Sequence, residues 1–280
     1  MLFRSAHYAA HVDVQLCVYA QEGLSQSPET ERLLVEGVGM GATVIGGAPY
    51  TDRDPRRQID MIFELARRFD LDVDLHLDLA DTTEAMQIGY VCATTESYGY
   101  GGRVAVGHVT QLAFLPPPEL DAIARRIADA GVAVTALPAT DLFLMGRGWS
   151  HARPRGVAPL EALRRHGVTC SVATNNVLNS FTPYGDASLV RMANLYANVA
   201  QVAAPDVLAD CLSMVTDQAA SLLRCDGYGF GIGTPADMVL LDATGPAAAV
   251  AEIAPAVWGL KGGRPSFTRP GVELHRAPPL

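Results

Sequence analysis

The chain has 280 residues, 49% of them hydrophobic, enough apolar material for one α/β barrel or two smaller domains. Its formal net charge of −9 leaves no basic face to neutralise phosphates, which argues against nucleic acid as a partner. No run of eighteen apolar residues is present, and the five cysteines form no CxxC or other framework. These features lead to the expectation of a soluble cytoplasmic protein with reduced thiols and no membrane contact.

Strand-like and helical patterns alternate along the chain. Val12 to Ala20 reads as the first strand, followed by a helix over 28–39 capped by Ser27 or Ser25. Ala42 to Ala48 is the second strand, closed by Pro49, and a charged helix over 54–69 follows. A third strand ends at His76, a helix covers 82–97, and a fourth strand ends at His108. After Pro116-Pro117-Pro118 a helix runs to Ala130, and Val132 to Leu137 forms a fifth strand stopped by Pro138. A short helix at 159–166 leads to a sixth strand, Val168 to Ala173, and two longer helices occupy 186–203 and 205–223.

Six βα units in succession imply a parallel sheet covered by helices. An open doubly wound sheet would place a Gly-rich phosphate turn after its first strand, and none follows Ala20. The glycines of Gly227 to Gly233 precede a strand, so they read as a turn, and a barrel is the favoured architecture. From Ala236 the character changes. Ala236 to Asp242 is a strand, 244–251 begins a helix, and 257–277 reads as a short β-ribbon. The expected organisation is a barrel domain over 1–235 and a small β appendage over 236–280.

His76 and His108 each close an apolar strand, about thirty residues apart, with a helical stretch between them. In a parallel barrel the C-terminal strand ends build the active site, so two imidazoles on adjacent strands invite a metal ion. Asp78 lies two residues beyond His76, an offset that keeps both side chains on one face of a continuing strand.

Several segments, in order, resemble the amidohydrolase superfamily and within it the cytosine deaminase-like branch. They are Gln21-Glu22-Gly23, His76-Leu77-Asp78, Gly107-His108-Val109-Thr110, Leu137 to Arg147, Arg155 to Pro159, and the closing Gly233-Thr234-Pro235-Ala236-Asp237. The resemblance implies a TIM-type (β/α) barrel and hydrolysis of a C–N bond in a small cyclic nitrogen compound. It also implies one divalent metal ion, zinc or iron. It identifies His76 and His108 as metal ligands and Gln21 as a contact to the substrate's ring edge.

The family pattern also has an Asp and a Glu that carry protons, and here Asn175 and Leu79 fall at those positions. An amide cannot act as a base, so Asp78, Asp141 and Glu22 are the acids within reach as substitutes. The reading takes Asp78 and Asn175 as catalytic groups, and Gln21 and Asp141 as substrate contacts. The family's first-strand His-x-His is also missing, so the barrel is expected to be N-terminally incomplete, from a longer native chain or in an inactive descendant that binds a small ligand or partner chain. Two open sheet edges make a homo-oligomer plausible.

Overall fold

All six expected strands form and pair in one parallel sheet. The computed structural model describes residues 6–273 and 275. The strands are β1 (Cys17–Ala20), β2 (Val44–Gly47), β3 (Asp72–Leu77), β4 (Val104–His108), β5 (Val132–Ala136) and β6 (Cys170–Val172), and they lie side by side in chain order. The order never reverses, so the sheet has no switch point of the doubly wound kind. Successive crossovers stack their helices on one face, and the sheet is a barrel-like arc.

The helices of that layer are α1 (Pro28–Gly39), α2 (Pro55–Phe69), α3 (Ile88–Tyr98) and α4 (Pro117–Asp129). They are followed by α5 (Pro138–Leu144), α6 (Leu160–Arg165), α7 (Leu189–Val199), α8 (Pro205–Ser213) and α9 (Asp217–Leu222). Local rules place their ends. Ser27 caps α1 through Thr30 N, Asp54 caps α2 through Arg57 N, and prolines occupy the first turns of α1, α2, α4, α5 and α8.

The two faces of the sheet differ as a period of two requires. On β3, Val73, Leu75 and Leu77 are buried under the helices with Ile45, Ile59, Ile62, Phe63, Val106 and Ile127. Asp72, Asp74 and His76 alternate onto the inner face and stay half-buried. In register, Tyr19 lies beside Gly46, and Gly46 beside Asp74. A Cβ on Gly46 would stand 1.8 Å from the Asp74 carbonyl oxygen and 3.1 Å from the Tyr19 ring. The missing side chain is what lets Tyr19 lie across β2, its ring centroid 4.9 Å from that of His76.

Differences from the sequence reading have local causes. Pairing of β1 begins only at Cys17, because Val12 and Val14 stay about half exposed with no strand beside them. Residues 79–87 form a loop instead of the first turns of α3, held by Gln111, whose amide donates to the Thr82 and Glu84 carbonyls at 2.5 and 2.7 Å. The expected helix over 205–223 breaks in two around Met214, whose carbonyl accepts the Val172 N–H at 3.1 Å on the outer side of β6. The unexpected α5 starts at the proline read as a strand stop, with Pro138 in its first turn.

The C-terminal appendage is an antiparallel sheet of β7 (Met238–Leu241), β8 (Ala256–Lys261) and β9 (Arg264–Thr268), with α10 (Pro246–Ala251) between its first two strands. Residues 274, 276 and 277 of the expected ribbon lie outside the described residues. Asn194 on α7 donates to the Val250 carbonyl at 2.9 Å, and Lys261 pairs with Asp13 at 2.5 Å, tying the appendage to α7 and to the segment before β1. Among the described residues no helix is long and apolar enough to cross a membrane. Replacing Gly46 by Ala is expected to cost about 3 kcal/mol of stability, because the new methyl meets backbone and not a yielding side chain. A urea melt showing no loss would contradict this close packing.

Candidate active site

The site lies at the C-terminal ends of β3 and β4, where three consecutive constraints assemble it. His76 is the last inner-face residue of β3. His108 ends β4 in register with Leu77, which points into the helix layer. The left-handed backbone at His108 (φ +70°) breaks that alternation, and its imidazole meets His76. The nitrogens His76 Nδ1 and His108 Nε2 are 3.2 Å apart. A Cβ on Gly107 would crowd Leu137 Cδ1 at 3.2 Å and meet the His76 ring only in ordinary contact at 3.6 Å.

Asp141 fixes the second histidine. Its Oδ1 is 2.6 Å from His108 Nδ1, and its Oδ2 accepts the Leu137 N–H at 3.2 Å. Both side chains are essentially inaccessible to solvent. Burial raises the Asp141 pKa, and the bond to His108 pulls it back. With Nδ1–H directed at the carboxylate, His108 presents the Nε2 lone pair to the pocket. Burial, assisted by His108, pushes the His76 pKa down to about 3, so His76 is neutral at physiological pH.

Asn175 follows β6 with a left-handed backbone (φ +59°), and its carboxamide Nδ2 lies 3.4 Å from His108 Nε2. His76, His108 and Asn175 therefore converge as the sequence led us to expect. Gln21 is exposed just past the end of β1, and its carbonyl accepts the Thr51 hydroxyl at 2.7 Å.

Two residues take other places than expected. Asp141 is no substrate contact, since it is fully buried and spends its carboxylate on His108 and Leu137. Asp78 does not share the face of His76. The strand stops at Leu77, and the left-handed backbone at Asp78 (φ +51°) turns its carboxylate toward the start of α3. There it accepts the N–H groups of Gln87 and Ile88 at 2.8 and 3.0 Å. Burial nonetheless raises its pKa to about 6.

The sequence reading passed over Asp74 and Tyr19. Asp74 faces inward two residues before His76, and burial raises its pKa to about 6 against the pull of His108. The Tyr19 hydroxyl is buried with no hydrogen-bond partner among the described residues. Strand alternation back from His76 and from Gln21 would have found both. His151 is exposed in its loop, and its Nδ1 lies 3.0 Å from the Ser150 hydroxyl. Burial pushes the Cys170 thiol up to about 12, which removes it as a nucleophile at neutral pH.

The geometry at the histidines can be tested against a metal ion. Two nitrogens bound to one tetrahedral zinc at 2.0–2.1 Å stand about 3.3 Å apart, close to the 3.2 Å between His76 Nδ1 and His108 Nε2. Among the described residues no group of three or more His, Cys, Asp or Glu surrounds this point. A third protein donor would be the Asn175 carboxamide oxygen, brought round by rotation of the amide. Two imidazoles, one backed by a carboxylate, fit zinc or iron.

Comparison with known proteins places this arrangement. The amidohydrolase family pattern matches residues 4–267. The chain belongs to the amidohydrolase family. It is 26% identical over 257 residues to N-isopropylammelide isopropyl amidohydrolase of Pseudomonas sp. (strain ADP), covering 90% of this chain and 60% of that protein. It is 31% identical over 202 residues to pterin deaminase of Rhizobium rhizogenes, covering 71% of this chain and 46% of the relative. The chain thus spans about half to three fifths of the length of these curated relatives.

Among solved structures, 5-methylcytosine deaminase from Klebsiella pneumoniae liganded with 5-fluorocytosine superposes with a TM-score of 0.93 at 24% identity. That match covers 98% of this chain and 68% of the other. N-isopropylammelide isopropylaminohydrolase from Burkholderia multivorans gives a TM-score of 0.83 at 29% identity, covering 94% and 65%. The barrel-like fold and the amidohydrolase membership read from the sequence both stand.

Removing the Asp78 carboxylate (Asp78→Ala) leaves two backbone N–H groups at the start of α3 without partners. The expected loss is about 1–3 kcal/mol of stability. Thermal melts measure this, and an unchanged melting temperature would contradict a structural role for Asp78.

Proposed function

We propose that the chain hydrolyses a C–N bond of a small nitrogen heterocycle, by deamination or amine release, at a divalent zinc or iron ion held by His76 and His108. The observation that carries this reading is the convergence of His76 Nδ1 and His108 Nε2 at 3.2 Å, with His108 locked by Asp141. The relatives support the same chemistry, being named an N-isopropylammelide isopropyl amidohydrolase and a pterin deaminase, and they favour it over an inactive descendant.

Each residue contributes through a definite atom. Asp141 keeps His108 in the tautomer that offers Nε2, and burial keeps His76 unprotonated, so both lone pairs are available for a cation. A bound divalent ion would lower the pKa of water and polarise the bond to be cleaved. Asn175 holds its carboxamide beside His108, where it can orient a substrate or donate oxygen to the ion. It cannot take up a proton, and Leu79 cannot either. Of the acids read from the sequence, Asp78 and Asp141 are committed to other partners. Glu22 is exposed past the end of β1, and Asp74, two residues before His76, is a carboxyl on the face of His76. General acid–base groups contribute about 10²–10⁴-fold, so the present site is expected to turn over slowly.

The test is metal content and amine or ammonia release on aminopyrimidine, aminotriazine and pterin substrates, for wild type and His76→Ala. About one zinc or iron per chain, lost in the variant with the activity, is the expected result. A folded, metal-free wild type after zinc and iron loading would sink the reading. Asp141→Asn should weaken metal affinity about 10–100-fold by removing the carboxylate behind His108, as competition with a chelator would reveal. Asn175→Asp is expected to raise turnover by about 10²-fold by restoring a base, and steady-state kinetics would show it.

A further inference from the structure

We propose that a cavity at the N-terminal end of the parallel sheet, opposite the histidines, binds a small primary alkylammonium ion through the Asp74 carboxylate. The site rests on its own geometry, and an amine released by the hydrolysis proposed above is one ligand of this class.

The cavity has a volume of about 340 Å³ and lies between the first residues of the strands and the end of α9. Cys17, Val44 and Asp72, which open β1, β2 and β3, line it together with Leu222 and Leu223. Two bonds hold the α9 side in place. The Gln15 amide donates to the Leu223 carbonyl at 3.0 Å, and the Arg224 guanidinium pairs with Asp72 at 2.8 Å. The segment after α9 is thereby pinned both to β3 and to the residues before β1.

Strand register accounts for the space. Asp74 stands beside Gly46 on one side and Ala105 on the other, and Ala105 stands beside Ala133. Beyond Asp74 the row therefore carries only methyl groups across β4 and β5, and both alanines line the cavity. His76 follows Asp74 by two residues on the same face, so the histidine pair lies one step further along the sheet.

The charges around the cavity leave one carboxylate over. Asp72 pairs with Arg103 at 2.7 Å as well as with Arg224, and Arg103 also pairs with Asp70 at 2.6 Å. Those two cations and two carboxylates cancel. The Asp74 carboxylate makes no hydrogen bond or ion pair among the described residues, although it lines the same cavity. A half-buried carboxylate without a partner has lost hydration with nothing in return, and a cation bonded to it restores the balance. An ammonium head brings three donors. Its alkyl chain matches the walls made by Ala105, Ala133, Leu222 and Leu223, which a hydrated inorganic cation would leave facing water.

The experiment is calorimetric titration of the full chain with propylammonium chloride, propan-1-ol and potassium chloride at constant ionic strength. Propan-1-ol has the carbon chain without the charge, and potassium has the charge without the chain. Propylammonium should bind about 10–100-fold tighter than propan-1-ol, the range that a hydrogen bond to a charged group supplies. Asp74→Asn should remove that preference. Ala133→Leu, which fills the cavity from two strands away, should abolish binding of both organic probes. Absence of propylammonium binding, or equal binding of the two organic probes, overturns the inference. So does a preference that survives Asp74→Asn, or a response to potassium as strong as that to propylammonium. Where Ala133→Leu does not fold, Asp74→Asn decides alone, because its side chain keeps the shape and loses only the charge. None of these outcomes involves turnover, so the hydrolase reading stands or falls separately.

Discussion

The hydrogen bond between His108 and Asp141 is the constraint on which the site depends. It joins an imidazole at the end of β4 to a carboxylate on α5, and neither side chain reaches solvent. A buried carboxylate is costly unless it is bonded. Asp141 is stabilised by two donors, His108 and the Leu137 N–H. Moving either element by an ångström would leave a charge unpaired in the core. The bond therefore locks β4 to α5, sets the tautomer of His108, and aims Nε2 at His76.

That geometry demands a backbone departure from regular strand. His108 and Val109 both have positive φ, 70° and 39°, although neither is glycine. Asp78 and Asn175 repeat the device at the ends of β3 and β6, with φ of 51° and 59°. Such conformations cost about 1–3 kcal/mol each and persist only when the surroundings over-determine them. Here the surroundings are visible. Val109 N–H is held by the Leu77 carbonyl at 2.9 Å, and Asp78 by two N–H groups of α3. Beneath them lies the apolar layer of Leu75, Leu77, Val106 and Ile127, fully buried between sheet and helices. The strain gathers at three strand ends on one rim, which is where a barrel of this kind works.

The same rim divides its polar groups between two tasks. Asp52, Asp78, Gln111 and Asp141 spend their polar side-chain atoms on holding loops and a histidine. His76 and Asn175 instead converge on His108 Nε2, at 3.2 and 3.4 Å. Sequence spacing treated Asp78 and Asp141 as members of the second group, because an acid near a histidine reads as a reacting group. Their burial and their bonds put them in the first group.

Much of the architecture was legible from the chain because its causes are local. Apolar runs ending in His76 and His108, Ser27 and Asp54 before their helices, and the unbroken βα alternation follow from periodicity and capping. The histidine pair itself could be read because strand ends in a parallel barrel share one rim. The helix at Pro138 was hidden because a proline that ends a strand also starts a helix, and only packing chooses.

The sequence by itself determined the family, the parallel order of strands and the two imidazoles. Tertiary structure alone decided that Asp141 backs His108, that Asp78 turns away, and that Tyr19 crosses Gly46 to reach His76. The reason is physical. Periodicity assigns a side chain to a face only while the strand continues, and every residue in question lies where a strand ends or where a neighbour lacks a side chain. There the direction is set by which buried donor or acceptor must be satisfied, and that depends on elements thirty or more residues away.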